Sequence, residues 1–138
     1  MNFRAVALIA LGGISALAAC SASSVQDTPS PRAQRELADA LQGRTPGPAV
    51  RCLPNYRADN MQVIDDSTIL FRDGRTVYLQ RPRDPCDGLG SGRLTLVTRQ
   101  FGTSQLCDGD INHTVDLVTR SQGGACVFGP FVPYTKPR

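Results

Sequence analysis

The residues in this 138-residue chain whose types could do chemistry are five cysteines, one histidine and two closely spaced aspartates. The cysteines are Cys20, Cys52, Cys86, Cys107 and Cys126, and none belongs to a C-x-x-C pair of the kind that builds zinc ribbons or dithiol redox centres. Only Cys52, after Arg51, has a cationic neighbour in sequence that would favour a thiolate. Disulfides are therefore the expected use of Cys52, Cys86, Cys107 and Cys126, with no metal and no other cofactor. His113 is the sole histidine, with Asp108 and Asp110 just before it. His113 with either carboxylate could serve a small periplasmic hydrolase, but no Gly-x-Ser-x-Gly elbow supplies a nucleophile. An imidazole at a strand start explains His113 equally well, so a non-catalytic chain is expected.

Two other patterns start like ligand loops and then depart from them. Asp108-Gly109-Asp110-Ile111-Asn112 begins as a calcium-binding EF-hand loop does. His113 then occupies the sixth position, which needs Gly, and Thr119 the twelfth, which needs Glu. A turn whose Asp side chains accept from backbone N–H groups is expected instead. Gly88-Leu89-Gly90-Ser91-Gly92-Arg93 is Gly-rich but lacks the Gly-Lys-Ser/Thr ending of a phosphate loop, and it reads as a flexible connection.

The cysteine count makes sense only with the N-terminus. Arg4 precedes an apolar run from Ala5 to Ala19, which is shorter than the ~20 residues of a comfortable bilayer span. A charged start, an apolar middle and small residues at the end form an export signal. Leu17-Ala18-Ala19-Cys20 resembles the lipobox of bacterial lipoproteins, which implies cleavage before Cys20 and acylation of its thiol. Ser21, not Asp, follows, which in such lipoproteins implies sorting to the outer membrane. Setting Cys20 aside leaves four cysteines, the number that an oxidising compartment pairs into two disulfides. Three connectivities are possible. If the first and last strands lie side by side, Cys52–Cys126 with Cys86–Cys107 is the expected set.

The expected organisation is a signal peptide over residues 1–19, a flexible tether over 20–31, a short helix over 32–42 and a small β domain over 50–135. The tether is rich in Ser, Thr and Pro. In the helix, Leu37 and Leu41 share a face with Ala33 and Ala40, while Arg32–Glu36 and Arg35–Asp39 are spaced to pair. Gly43 ends it, and Thr45-Pro46-Gly47-Pro48 forces a turn. Strands are expected at 61–65, 68–72, 76–80, 93–101, 113–120 and 125–128. Asp73-Gly74 is the turn of the second and third, with Ile69 and Phe71 meeting Val77 and Leu79 across the pair. Short strands with regular turns predict a mainly β fold, a small antiparallel barrel-like or sandwich domain, with the barrel preferred. The Pro-rich end, Gly129 to Tyr134, could alternatively be an exposed segment that an inhibitor presents to a partner.

Composition narrows the partners. The chain is 41% hydrophobic and 20% charged, which fits one ordinary globular domain and neither a disordered chain nor several domains. No Trp and 6% aromatics leave little to stack on bases, so no nucleic acid is expected. Thirteen arginines and Lys136 follow residue 19, against twelve acids, with no run of one sign. The expected contacts are a membrane through lipid on Cys20, and an envelope protein or polyanion.

The segment from Gly43 to Pro48 before Cys52, "DDSTILFRDGRTVYLQRP" with Cys86, "SQLCDGDI" around Cys107 and "CVFGPFVPY" from Cys126 to Tyr134 carry a resemblance. Together they resemble a family of small uncharacterised proteobacterial exported proteins and lipoproteins, over Leu37 to Tyr134. The resemblance implies an envelope protein and transfers no catalytic residue.

Overall fold

The computed structural model describes residues 28–53, 60–99 and 104–138. The expected signal, Cys20 and most of the tether lie outside the described residues. Among the described residues one α-helix, α1 (Pro31–Leu41), precedes eight strands: β1 (Thr45–Pro46), β2 (Met61–Asp65), β3 (Thr68–Asp73), β4 (Thr76–Gln80), β5 (Leu94–Thr98), β6 (Ile111–Asp116), β7 (Gln122–Val127) and β8 (Phe131–Thr135). They form two antiparallel sheets, β1-β8-β4-β3-β2 and β5-β6-β7. The fold is mainly β and sandwich-like, and the expected barrel is not closed. Each sheet ends on strands that pair with nothing in the other sheet, so no ladder runs around a cylinder.

Helix α1 starts where a cap and a proline coincide. Ser30 Oγ accepts from the Ala33 N–H at 3.1 Å, and Pro31 occupies a first-turn position where its missing donor costs nothing. Gly43, at φ +67°, takes the left-handed turn that leaves the helix. Arg32–Glu36 pairs at 2.7 Å, while the Arg35–Asp39 pair does not form. Ala33, Leu37, Ala40 and Leu41 pack on Ile64, Leu70, Val77 and Leu79 of the larger sheet. An isolated eleven-residue helix is marginal, and this docking supplies its stability.

The other face of the same sheet meets the smaller sheet. Ile69 and Phe71 join Leu53, Cys86, Leu89, Leu106, Cys126, Phe128 and Phe131 in the main core, with Leu94 and Leu96 of β5 packed against it. The layers are helix, five strands, three strands. Strand β3 is covered on both sides, hence its unbroken buried run Thr68-Ile69-Leu70-Phe71.

The β3–β4 hairpin forms, with its two-residue loop one position further along the chain. Asp73 pairs with Thr76, so Gly74 and Arg75 are the loop, not Asp73-Gly74. Leu70 then opposes Leu79, Arg72 opposes Val77, and Ile69 and Phe71 oppose Gln80 and Tyr78. The expected meeting of Ile69 and Phe71 with Val77 and Leu79 is therefore wrong: a two-residue loop sets odd-numbered residues of one strand opposite even-numbered residues of the other, so Ile69 and Phe71 share a face with Gln80 and Tyr78.

The C-terminal segment corrects another expectation. It is strand β8, hydrogen-bonded between β4 and β1, and not the exposed segment of the alternative reading. Thr45 and Pro46, expected to turn, form its short partner. Pro133 fits because of where its missing donor falls. Phe131 exchanges both backbone bonds with Val50, and the Pro133 carbonyl accepts from the Gly47 N–H at 2.8 Å. Strand alternation places the Pro133 nitrogen on that same sparsely bonded side, so the ladder to β4 keeps its donors.

Two further boundaries move for local reasons. The expected strand 113–120 is instead Ile111–Asp116, because the Asp116 carboxylate accepts from the N–H groups of Val118 and Thr119 and turns the chain. The expected strand 125–128 begins at Gln122, since Gly123 and Gly124 are accommodated at a bulge opposite Thr114. A Cβ on Gly123 would lie 2.5 Å from Thr114 Oγ1, so glycine is what permits the approach.

Two substitutions test this packing by urea unfolding. Phe131→Ala removes a ring with no exposure from the junction of both sheets and is expected to cost about 3–5 kcal/mol. Gln80, fully buried, has no hydrogen-bond partner for either side-chain polar atom. Gln80→Met keeps its length and removes that desolvation cost, so it should raise stability by about 1–3 kcal/mol. A lower urea midpoint for Gln80→Met would show that the amide contributes to the native state.

Candidate functional site

The four domain cysteines are joined as Cys52–Cys107 and Cys86–Cys126, which corrects the expected pairing. The premise was sound in part, since Val50 does pair with Phe131 of the last strand. Cys126, however, lies before that strand, on β7 of the other sheet, and faces Cys86 in the core. Cys52 instead forms a bridge opposite Cys107, flanked by Leu53 N–H to the Leu106 carbonyl at 2.8 Å and Asp108 N–H to the Arg51 carbonyl. Closing loops of 55 and 40 residues contributes about 4 kcal/mol each in the chain-entropy account.

The Gly-rich segment is an ordered 3-10 turn, Leu89–Ser91, not a flexible connection. Its amides face an anion supplied by the chain itself. Asp66 Oδ2 accepts from the Gly88 N–H at 3.0 Å and Oδ1 from the Gly90 N–H at 2.6 Å. The Asp66 carbonyl also accepts from the Cys86 N–H at 2.7 Å. A carboxylate thus fills the place that a phosphate would need, and it ties the β2–β3 turn to the buried disulfide.

Asp108, Asp110 and His113 are not brought together. Asp108 pairs with Arg83 at 2.7 Å, and Asp110 Oδ2 accepts from the Cys107 N–H at 2.7 Å, the backbone-capping role expected of this turn. His113 lies between Val97 and Ala125 on the far face of the smaller sheet. Three residue steps of extended chain place it about 10 Å along from Asp110. Among the described residues, no three His, Cys, Asp or Glu side chains gather as a metal site would require.

Grooves flank α1, and two of them run along its length. One, of about 400 Å³, has Glu36 and Asp39 on the helix and Arg44, Arg72 and Lys136 at the sheet end. Arg44 is committed to the carbonyls of Ala40 and Arg75, and Arg72 to Gln62. The second, of about 440 Å³, is chiefly apolar and runs beside Leu37, Ala38 and Leu41 to Arg81.

The most unusual surface was concealed in β6. Its inward side chains are polar: Asn112 and Thr114 are fully buried. Thr98 Oγ1 donates to Asn112 Oδ1, the Asn112 amide donates to the Asp110 carbonyl, and Thr114 Oγ1 donates to the Gly124 carbonyl. Its outward side chains are Ile111, His113 and Val115, with Leu117 just beyond. Polar and apolar residues alternate along the strand, and the apolar side faces away from the core. Among the described residues the exposed large hydrophobics are Val97, Ile111, Leu117 and Val118, all on this sheet or its hairpin tip. The sequence signal was there, as a valine–leucine side set against an Asn–Thr–Asp side. Only hydrogen-bond satisfaction could say which side was buried.

The tip depends on one carboxylate. Asp116 is held below the usual carboxylate range, first by the Thr119 and Val118 N–H groups and then by Arg93 at 3.1 Å. Because its folded value is depressed, the stabilisation is present above the unfolded value and is lost as pH falls through the folded one. Amide exchange at Val118 and Thr119 should therefore accelerate selectively below the usual carboxylate range. Asp116→Asn should weaken that pH dependence.

Comparison with protein-family models, curated proteins and solved structures finds no match for this chain.

Proposed function

We propose that this protein is a lipid-anchored component of the bacterial cell envelope, acting as a non-catalytic binding or structural module. The observation that carries the reading is the arithmetic of the cysteines. The folded domain uses Cys52, Cys86, Cys107 and Cys126 in two disulfides, which leaves Cys20 as the odd thiol, directly after Leu17-Ala18-Ala19. A pair of disulfides supports an oxidising compartment. A lone cysteine at the end of an export-signal pattern supports acylation there, and two or more acyl chains hold a protein stably at a bilayer. The non-catalytic reading draws on the commitments of Asp108 to Arg83 and Asp110 to Cys107, with His113 on another face. The outer membrane, facing the periplasm, is the location that Ser21 favours.

Intact mass of the protein extracted natively in detergent tests this, with alkylation before and after graded reduction. The expected mass starts at Cys20 and carries added acyl chains, with no alkylation before reduction. On reduction, the half-buried Cys52 and Cys107 should alkylate first, and the buried Cys86 and Cys126 last. An uncleaved N-terminus, or a free thiol at position 20, would refute the anchor.

A further inference from the structure

The outer face of the smaller sheet presents Val97, Ile111, Val115, Ala125 and Val127 on adjacent strands. Beyond it the hairpin tip carries Leu117 at 52% and Val118 at 80% exposure. Strands of a two-layer fold normally turn such side chains inward, and β6 does the reverse at the cost of burying Asn112 and Thr114. Arginines stand around this face. Arg93 precedes β5, Arg99 follows it and Arg120 lies in the turn, all exposed. The acids nearby are occupied: Asp116 by Arg93 and two turn amides, Asp110 by the Cys107 N–H, and Asp108 by Arg83.

We infer that this face docks on a lipid surface bearing anionic headgroups, with Leu117 and Val118 entering the headgroup–acyl boundary and Arg99 and Arg120 meeting the phosphates. An apolar face rimmed by arginines matches an anionic interface, where each arginine near the surface contributes about a fivefold gain in affinity. The inference rests on the reading of the protein as one held at an envelope membrane. Chain length allows it. From Cys20 to Pro31 there are eleven residue steps, which span at most about 39 Å. The face lies on the opposite side of two packed layers from α1, about 20 Å away at ~10 Å per layer.

The chain has no tryptophan, so an introduced indole reports its own position. Val118→Trp and, on exposed α1, Gln34→Trp are each placed in the natively extracted protein and in a Cys20→Ser version. Both are mixed with vesicles of brominated phosphatidylglycerol or brominated phosphatidylcholine. The expected result is quenching of the indole at position 118, not at 34, by phosphatidylglycerol vesicles in both versions. Arg99→Gln with Arg120→Gln should weaken Cys20→Ser binding about twentyfold with an unchanged urea midpoint. Equal quenching at 34 and 118, or none at 118, overturns the docking face. So does a blue-shifted indole at 118 without lipid together with a dimer in sedimentation, which would assign the face to a second copy. Acylation, read by mass on the same extracted sample, is separate: an acylated chain with an unquenched indole at 118 keeps the anchor and loses the face. A Cys20→Ser chain that binds phosphatidylglycerol keeps the face whatever the state of Cys20.

Discussion

Phe131 sits where the two sheets of the domain meet. Its ring is fully buried and stands edge-on to Phe71 at 5.9 Å and Phe128 at 5.8 Å, while those two stand edge-on to each other at 6.1 Å. Each ring comes from a different part of the chain: β3, the segment after β7, and β8. Edge-to-face rings gain beyond their buried area only in that mutual orientation, so the triad fixes the two sheets relative to each other. The backbone of Phe131 does a second task by exchanging both bonds with Val50, which brings the chain after α1 alongside the end of the molecule.

The smaller sheet relies on this junction and on covalent ties. Cys86–Cys126 crosses from the β4–β5 connection to β7 inside the core, and Asp66 reaches over the Gly-rich turn to hold the same connection. Gly129 lets Phe128 and Phe131 turn inward on both sides of it. A Cβ there would lie 2.6 Å from the Arg81 carbonyl oxygen, so the chain between β7 and β8 passes too close for any larger residue. Three strands alone make a marginal sheet, and here one side is supported by packing, a disulfide and a clamped turn. The other side is left to the surroundings.

That division explains the inverted strand. Asn112 and Thr114 find partners in Thr98, the Asp110 carbonyl and the Gly124 carbonyl, so their burial is satisfied and specific. The valine and isoleucine side chains on the other side are left on the surface. A fold that places apolar residues outward and polar residues inward on one strand has fixed a surface as well as a core.

Much of the architecture was legible because it is local. The helix at residues 32–42 against Pro31–Leu41, the strands at 61–65 and 76–80, and the disulfide use of Cys52, Cys86, Cys107 and Cys126 follow from periodicity, turn residues and cysteine count. What sequence could not decide was orientation. A pattern of period two states which residues share a face but neither which face is covered nor which residues of the next strand lie opposite, so the cross-strand neighbours in β3–β4 and the buried side of β6 stayed open. Disulfide partners depended on which strands became neighbours, and the role of Gly129 to Tyr134 on a sheet position that Pro133 concealed. Those choices belong to contacts between residues far apart in the chain, where packing and hydrogen-bond satisfaction across layers select among patterns that the sequence alone leaves equivalent.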